Sequence, residues 1–315
     1  MDNIEFNKII KNATTPLPGS IPGRITYKLS VKKRFDGMSL IDFFLKAVPR
    51  SNEKIWLDKI AENNLKINGV SVKSNYKVKA GEVAVHLSDP KTEPPVNVSI
   101  NLIYEDDEII VLDKPSPLPV HASGRFVRNT LISILEIAFP NTTFKLLHRI
   151  DANTTGLIVL AKNKISANFI QQQFENKTIQ KTYIALVEGI VNDDYMNLEK
   201  LIGTEILAGG SRRIDGTGKK AKTEIEVLER RKSTTLLKVS PQTGRTNQIR
   251  LHLAELGHPI VGDIGHKDSS YFENNPFTYD TDSLFLHAYR LKLTHPTTKK
   301  ELHLEAPIPL KYNCK

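Results

Sequence analysis

The order of strand-like and helical segments constrains this chain more than any other feature. Short apolar or alternating runs read as strands at Glu108 to Leu112, Gly156 to Ala161, Thr182 to Glu188, Thr223 to Glu229 and Thr235 to Ser240. Leu284 to Thr294 and Lys300 to Ala306 form a last hairpin around His295-Pro296. Helical periodicity covers only Thr130 to Phe139, Ser166 to Glu175 and Asn247 to Leu256, with Asn129 as an N-cap and Gly257 at a C-cap position. A doubly wound parallel sheet needs a helix between successive strands. The spacing therefore predicts an α+β fold with a large mixed, mostly antiparallel sheet.

Upstream the pattern changes. Gly37 to Val48 places Leu40, Phe43, Phe44 and Ala47 on one helical face, and Pro49 ends it. Lys54 to Asn63 reads as a second helix. Leu65 to Val70 alternates around the turn signal Asn68-Gly69, and Val72 to Leu87 reads as two strands around Ala80-Gly81. Residues 1–89 are thus expected to form a small domain, 90–97 a linker containing Pro90, Pro94 and Pro95, and 98–315 the main domain. At 315 residues the chain has room for about two domains.

Composition removes several classes. No run approaches the roughly 18 apolar residues of a membrane span, and Met1 to Thr15 lacks the apolar centre of a signal peptide. The single cysteine, Cys314, cannot form an internal disulfide or a zinc knuckle. These points predict a cytoplasmic protein without membrane association and without bound metal. The net charge of +9 and the pI near 9.3 point to a polyanionic partner.

Phosphate-loop, dinucleotide, zinc-protease and esterase signatures are all absent. Three segments carry unusual chemistry instead. In His148-Arg149-Ile150-Asp151-Ala152-Asn153-Thr154-Thr155-Gly156, a dense polar loop runs into a buried strand; it could place Asp151 for catalysis or merely cap a turn. In Gly244-Arg245-Thr246-Asn247-Gln248-Ile249-Arg250, Arg250 falls at the edge of an apolar helical stripe, where it could reach a carboxylate or lie in solvent. In Lys181-Thr182-Tyr183-Ile184-Ala185, Lys181 and Tyr183 share a strand face, and a lone tyrosine there is more often a core aromatic with a satisfied hydroxyl than a catalyst. Arg212, Arg213, Lys219, Lys220 and Lys222 lie among Gly209, Gly210, Gly216 and Gly218, which suggests a mobile basic arm.

Taken together these segments resemble the RluA-type family of RNA pseudouridine synthases. The resemblance is carried by HRIDANTTGLIVLAK, by Tyr104 to Glu108 and Lys114-Pro115, by KTYIALVEG, by Gly218 to Thr223, by PQTGRTNQIRLHLAELGHPIVGD and by LHAYRLKLTHP. It spans about Ile100 to Pro309. The chain departs from the family pattern with Ile150 for Leu, Thr155 for Ser, Pro117 for Gly and Asn247 for His. The first zone is similar to the alpha-L RNA-binding motif, through Asn68-Gly69 and Val78-Lys79-Ala80-Gly81-Glu82-Val83, with its arginine-rich helix start reduced to Arg50-Ser51.

The resemblance implies an isomerase that turns uridine into pseudouridine in structured RNA, with no cofactor. It implies Asp151 as the essential carboxylate, Arg250 as its partner, and Tyr183 packed on the target uracil. It implies Arg149 filling the place of a flipped base, with Lys181, Arg245 and Asn247 as further RNA contacts. The expected partner is ribosomal or transfer RNA rather than DNA, and the expected state a monomer. An RNA-binding assembly factor without activity is the competing reading. The intact Asp151, Tyr183 and Arg250 weigh against it.

Overall fold

The computed structural model describes residues 1–49, 51–205, 212–214, 216–263 and 284–313. Arg50, Gly209, Gly210 and Cys314 lie outside the described residues. The chain divides into two compact units, Gly19–Glu93 and a larger one that combines Met1–Pro18 with Pro94–Lys315.

The smaller unit contains β1 (Thr26–Ser30), α2 (Leu40–Ala47), α3 (Glu53–Ala61), β2 (Leu65–Ile67), β3 (Val70–Ser71) and β4 (Val83–Leu87). Ser39 and Asn52 cap the two helices by accepting from Asp42 N and Ile55 N. Their apolar faces meet, and Phe44 stacks on Trp56 with ring centroids 4.1 Å apart. The sheet runs β1-β4-β2-β3, all antiparallel. Asn68 and Gly69 both have positive φ (48° and 84°), the requirement of the two-residue hairpin that joins β2 to β3. Only Val83–Leu87 of the two strands expected over Val72 to Leu87 forms. The stretch before it pairs elsewhere: Leu40 N donates to Tyr76 O, and Gly37 N to Val78 O.

The larger unit opens with α1 (Asn3–Ala13), capped by Asp2. Its Phe6 and Ile10 are buried in the same core as α4 (Leu131–Ala138). The first 18 residues therefore belong to this unit, whereas the sequence pattern groups them with the small domain. Thr130, not Asn129, caps α4; the Asn129 amide donates to Pro94 O instead.

Ten strands build the sheet of this unit. They are β5 (Asn101–Glu105), β6 (Ile109–Lys114), β7 (Lys145–Leu146), β8 (Thr155–Ala161), β9 (Gln180–Glu188), β10 (Tyr195–Ile202), β11 (Lys219–Arg230), β12 (Thr234–Pro241), β13 (Leu286–Thr294) and β14 (Glu301–Glu305). The order is β10-β11-β12-β9-β13-β8-β6-β5, with β14 on β13 and β7 on β8. Every pairing is antiparallel except the short β8–β13 seam. This is the mixed, mostly antiparallel α+β architecture the segment order predicts. Two helices complete the unit, α5 (Lys164–Glu175) and α6 (Gln248–Glu255).

The basic segment differs from its reading as a mobile arm. Lys219, Lys220 and Lys222 lie in β11, and Lys220 pairs with Glu199 at 3.1 Å. Gly218 serves close approach, since a Cβ there would overlap the Ile202 carbonyl.

Candidate active site

The β8–β13 seam sets the floor of the site. Gly156 crosses it with φ +104°, and a Cβ would overlap the backbone of Ala288. Just before β8, Asp151 sits in the loop that the polar run His148 to Thr154 forms. The loop is tied from both ends. His148 Nε2 accepts from Val159 N at 3.1 Å, and Thr154 N donates to Asp151 O at 3.1 Å. Burial pushes the His148 imidazole down to about 3, so it stays neutral and can accept that bond.

Lys114, at the end of β6, holds the loop from below. It is fully buried, and its Nζ donates to Pro115 O at 2.8 Å and to Ala152 O at 3.0 Å. Burial lowers its pKa to about 7, against the opposing charges of Asp151 and Asp113. Asp113 moves the other way, pushed up to about 6 by its own burial.

Arg250 comes from α6. Its NH1 donates to Asp151 Oδ2 at 3.0 Å. Its Nε and NH2 fork onto Asp263, at 2.8 and 2.7 Å. Burial works against the charge on Arg250, but the hydrogen bonds and charge of Asp263, then those of Asp151, raise its pKa above the usual range. Asp263 is buried, while Asp151 keeps 34% of its side chain exposed. Arg250 is therefore anchored on one carboxylate and presents its free edge to another that solvent, and a substrate, can reach.

Tyr183 stands on β9, paired with Ala288 across the neighbouring strand. Burial first, and the Asp151 charge second, raise its pKa, so the phenol keeps its proton. Lys181, two residues back, is pushed below the ordinary lysine range by burial; its Nζ lies 3.4 Å from Thr243 O.

The structure thus brings Asp151, Arg250 and Asn247 into direct contact, for Asn247 Nδ2 donates to Asp151 Oδ2 at 2.9 Å. Asn247, expected among the RNA contacts, is turned onto the carboxylate. Tyr183 senses that carboxylate through its charge. Arg149 and Arg245 stand apart from it. The exposed Arg149 meets His121 Nε2 at 3.0 Å, and the exposed Arg245 donates to Lys220 O at 3.2 Å. Lys114 and Asp263 fall inside motifs the sequence shows, yet neither stands out there. Only burial and geometry reveal that one holds the loop and the other the arginine. Among the described residues no group of His, Cys, Asp or Glu could hold a metal ion, and no helix is long and apolar enough to cross a membrane.

A carboxylate one third open to solvent, oriented by an anchored guanidinium and bordered by a protonated tyrosine, suits chemistry at a sugar carbon. Residues 108–255 match the family described as RNA pseudouridylate synthase. The chain is 33% identical to ribosomal large subunit pseudouridine synthase C of Vibrio vulnificus, over 85% of this chain and 89% of that protein. It is 31% identical to an uncharacterized RNA pseudouridine synthase, YlyB, of Bacillus subtilis, over 79% of this chain and 84% of that one. Among solved structures, human RNA pseudouridylate synthase domain containing 1 superposes with a TM-score of 0.56 at 26% identity, covering 70% of this chain and 87% of its own. On these likenesses the chain belongs to the RluA-type RNA pseudouridine synthases.

Proposed function

We propose that this enzyme isomerises uridine in large-subunit ribosomal RNA, with Asp151 as the essential carboxylate. The observation that carries the mechanism is the Asp263–Arg250–Asp151 chain, which holds one reachable carboxylate in a fixed orientation. The ribosomal substrate is supported by the relatives named as large-subunit synthases.

The reaction breaks the bond from ribose C1′ to uracil N1 and forms one from C1′ to C5. The C5 proton is lost and N1 gains one, so no electrons and no outside group are consumed. Asp151 supplies negative charge to the anomeric centre as the N1 bond opens. Tyr183 packs on the uracil as a neutral phenol; a phenol held protonated cannot take the C5 proton until it sheds its own. A paired uridine must first leave its stack, at a cost of a few kcal/mol. Arg149, exposed and two residues before Asp151, fills that gap with its flat guanidinium. Lys181 and Arg245 contact the RNA backbone, and the alpha-L-like unit adds binding surface. The place of action in this reading is the cytoplasm.

The test uses unmodified large-subunit ribosomal RNA and transfer RNA, both transcribed with tritium at uridine C5. Tritium release from the ribosomal transcript, abolished by Asp151→Asn with RNA affinity unchanged, is expected. Release from transfer RNA alone would overturn the substrate, and turnover by Asp151→Asn would overturn the mechanism.

A further inference from the structure

Asn247 occupies the N-cap position of α6 without acting as a cap. Its φ is +54°, in the left-handed region, and its side chain makes no bond to the helix. An asparagine at this position ordinarily accepts a hydrogen bond from the first helical turn. Here the side chain points away, and Nδ2 donates to Asp151 Oδ2 at 2.9 Å. Arg250 NH1 donates to that same oxygen at 3.0 Å. Among the described residues, no hydrogen bond reaches the other oxygen, Asp151 Oδ1. The amide's own Oδ1 is buried and has no partner among the described residues. Leaving such an oxygen unpaired is unfavourable. An arrangement that tolerates this cost, and also gives up a cap, favours something other than helix stability.

We infer that Asn247 is a positioning residue: together with Arg250 it occupies one oxygen of Asp151 and so presents the other, Oδ1, to the ribose of the target uridine. The inference rests on the proposed role of Asp151. One donor would leave the carboxylate free to turn about its Cβ–Cγ bond. Two donors converging on Oδ2 from different directions fix its plane. A guanidinium and an amide also leave Oδ1 its full lone-pair capacity, because neither reaches across to it.

The left-handed backbone dictates how this can be tested. Alanine would add strain at φ +54°, whereas Gly, Asp and His are all common or tolerated there. Asn247→Gly removes the donor. Asn247→Asp keeps the shape and is an equally good helix cap, but replaces the donor with a second carboxylate. Asn247→His keeps a ring N–H that can donate. The full-length enzyme is assayed on C5-tritiated large-subunit ribosomal RNA at saturating enzyme, for the single-turnover rate, with Kd measured by filter binding. Asn247→Gly is expected to slow the step by about tenfold to a hundredfold, the scale of a small misplacement of a reacting group. Asn247→Asp should be slower still, Asn247→His should recover most of the loss, and Kd should stay within about twofold throughout. A harmless Asn247→Asp would show a helix-capping role and overturn the inference. A rise in Kd with the saturated rate preserved would show an RNA contact and overturn it equally. Asp151→Asn is run alongside. Turnover by that variant would instead remove the reading of Asp151 on which the inference stands.

Discussion

The two carboxylates that share Arg250 differ in what they hold. Asp263 is buried and takes two of the guanidinium's bonds; Asp151 is one third exposed and takes one. Removing Asp263 strips two of the buried guanidinium's bonds and leaves it only the partly exposed Asp151, at a cost approaching the roughly 3–5 kcal/mol of a broken buried pair. Asp263→Ala should therefore lower stability by that order in urea unfolding. Asp151→Ala should cost less than ~1 kcal/mol, because Arg250 keeps its anchored partner and the lost bond is solvent-screened. Equal losses would mean that Asp151 is as structural as Asp263. Lys114 gives a second prediction. Its folded pKa is lowered from 10.5 to about 7 by burial. Between those values the unfolded chain carries a proton that the native lysine has shed, so raising the pH stabilises the native state. Stability should climb from about pH 7 toward pH 10.5, with a contribution from this group of up to about 1.4 kcal/mol per pH unit. Lys114→Met should flatten that climb by up to one proton, as read from the pH dependence of urea midpoints. An unchanged slope would show that Lys114 keeps its proton in the fold.

Elements with strong periodicity were legible in the sequence, and elements defined by their neighbours were not. The runs Gly156 to Ala161 and Thr235 to Ser240 match β8 and β12 within a residue at each end. By contrast β10 lies at the sheet edge with only Ile202 buried, and its alternation breaks at Glu199-Lys200, so Tyr195 to Ile202 gives no continuous strand pattern. α1 buries only Phe6 and Ile10, two contacts that stay invisible until the partner helix is known. The site shows the same division. Asp151 and Arg250 lie in motifs, but the bond between them spans 99 residues and only folding creates it. The β8–β13 seam is the element that makes this possible, and Gly156 is its weak point. Gly156→Ala should be severely destabilising. The left-handed backbone alone costs about 1–3 kcal/mol, and the new Cβ meets backbone atoms of Ala288 that cannot turn aside. Gly257→Ala is the control, with φ +81° and open space around the added carbon. Its melting temperature should fall only by the strain. Equal falls for the two variants would show that the seam relaxes to admit a side chain.

At the scale of the whole molecule, charge is unevenly shared. Gly19–Glu93 carries 14 Lys and Arg against 8 Asp and Glu, so this quarter of the chain holds +6 of the net +9. If this unit binds RNA, counterion release gives the binding a steep salt dependence, about 0.7 in logarithmic slope for each phosphate neutralised on single strands and about 0.9 on duplex. The division of the chain decides how to test this. Deleting everything before Pro90 would also remove α1, whose Phe6 and Ile10 fill the core of the larger unit, and would confuse lost binding with lost stability. The informative deletion takes out Gly19–Glu93 alone. Glu93 N donates to Gly19 O at 2.7 Å, so the two cut ends are neighbours and a short Gly-Ser loop can rejoin Pro18 to Pro94. The shortened enzyme should keep the melting behaviour of the larger unit and release tritium from C5-labelled RNA at high RNA concentration. Its Kd should rise and its salt slope should flatten by several counterions, measured by filter binding from low to moderate salt. An unchanged slope would place the RNA-facing charge on the larger unit and deny the small unit an RNA-binding role.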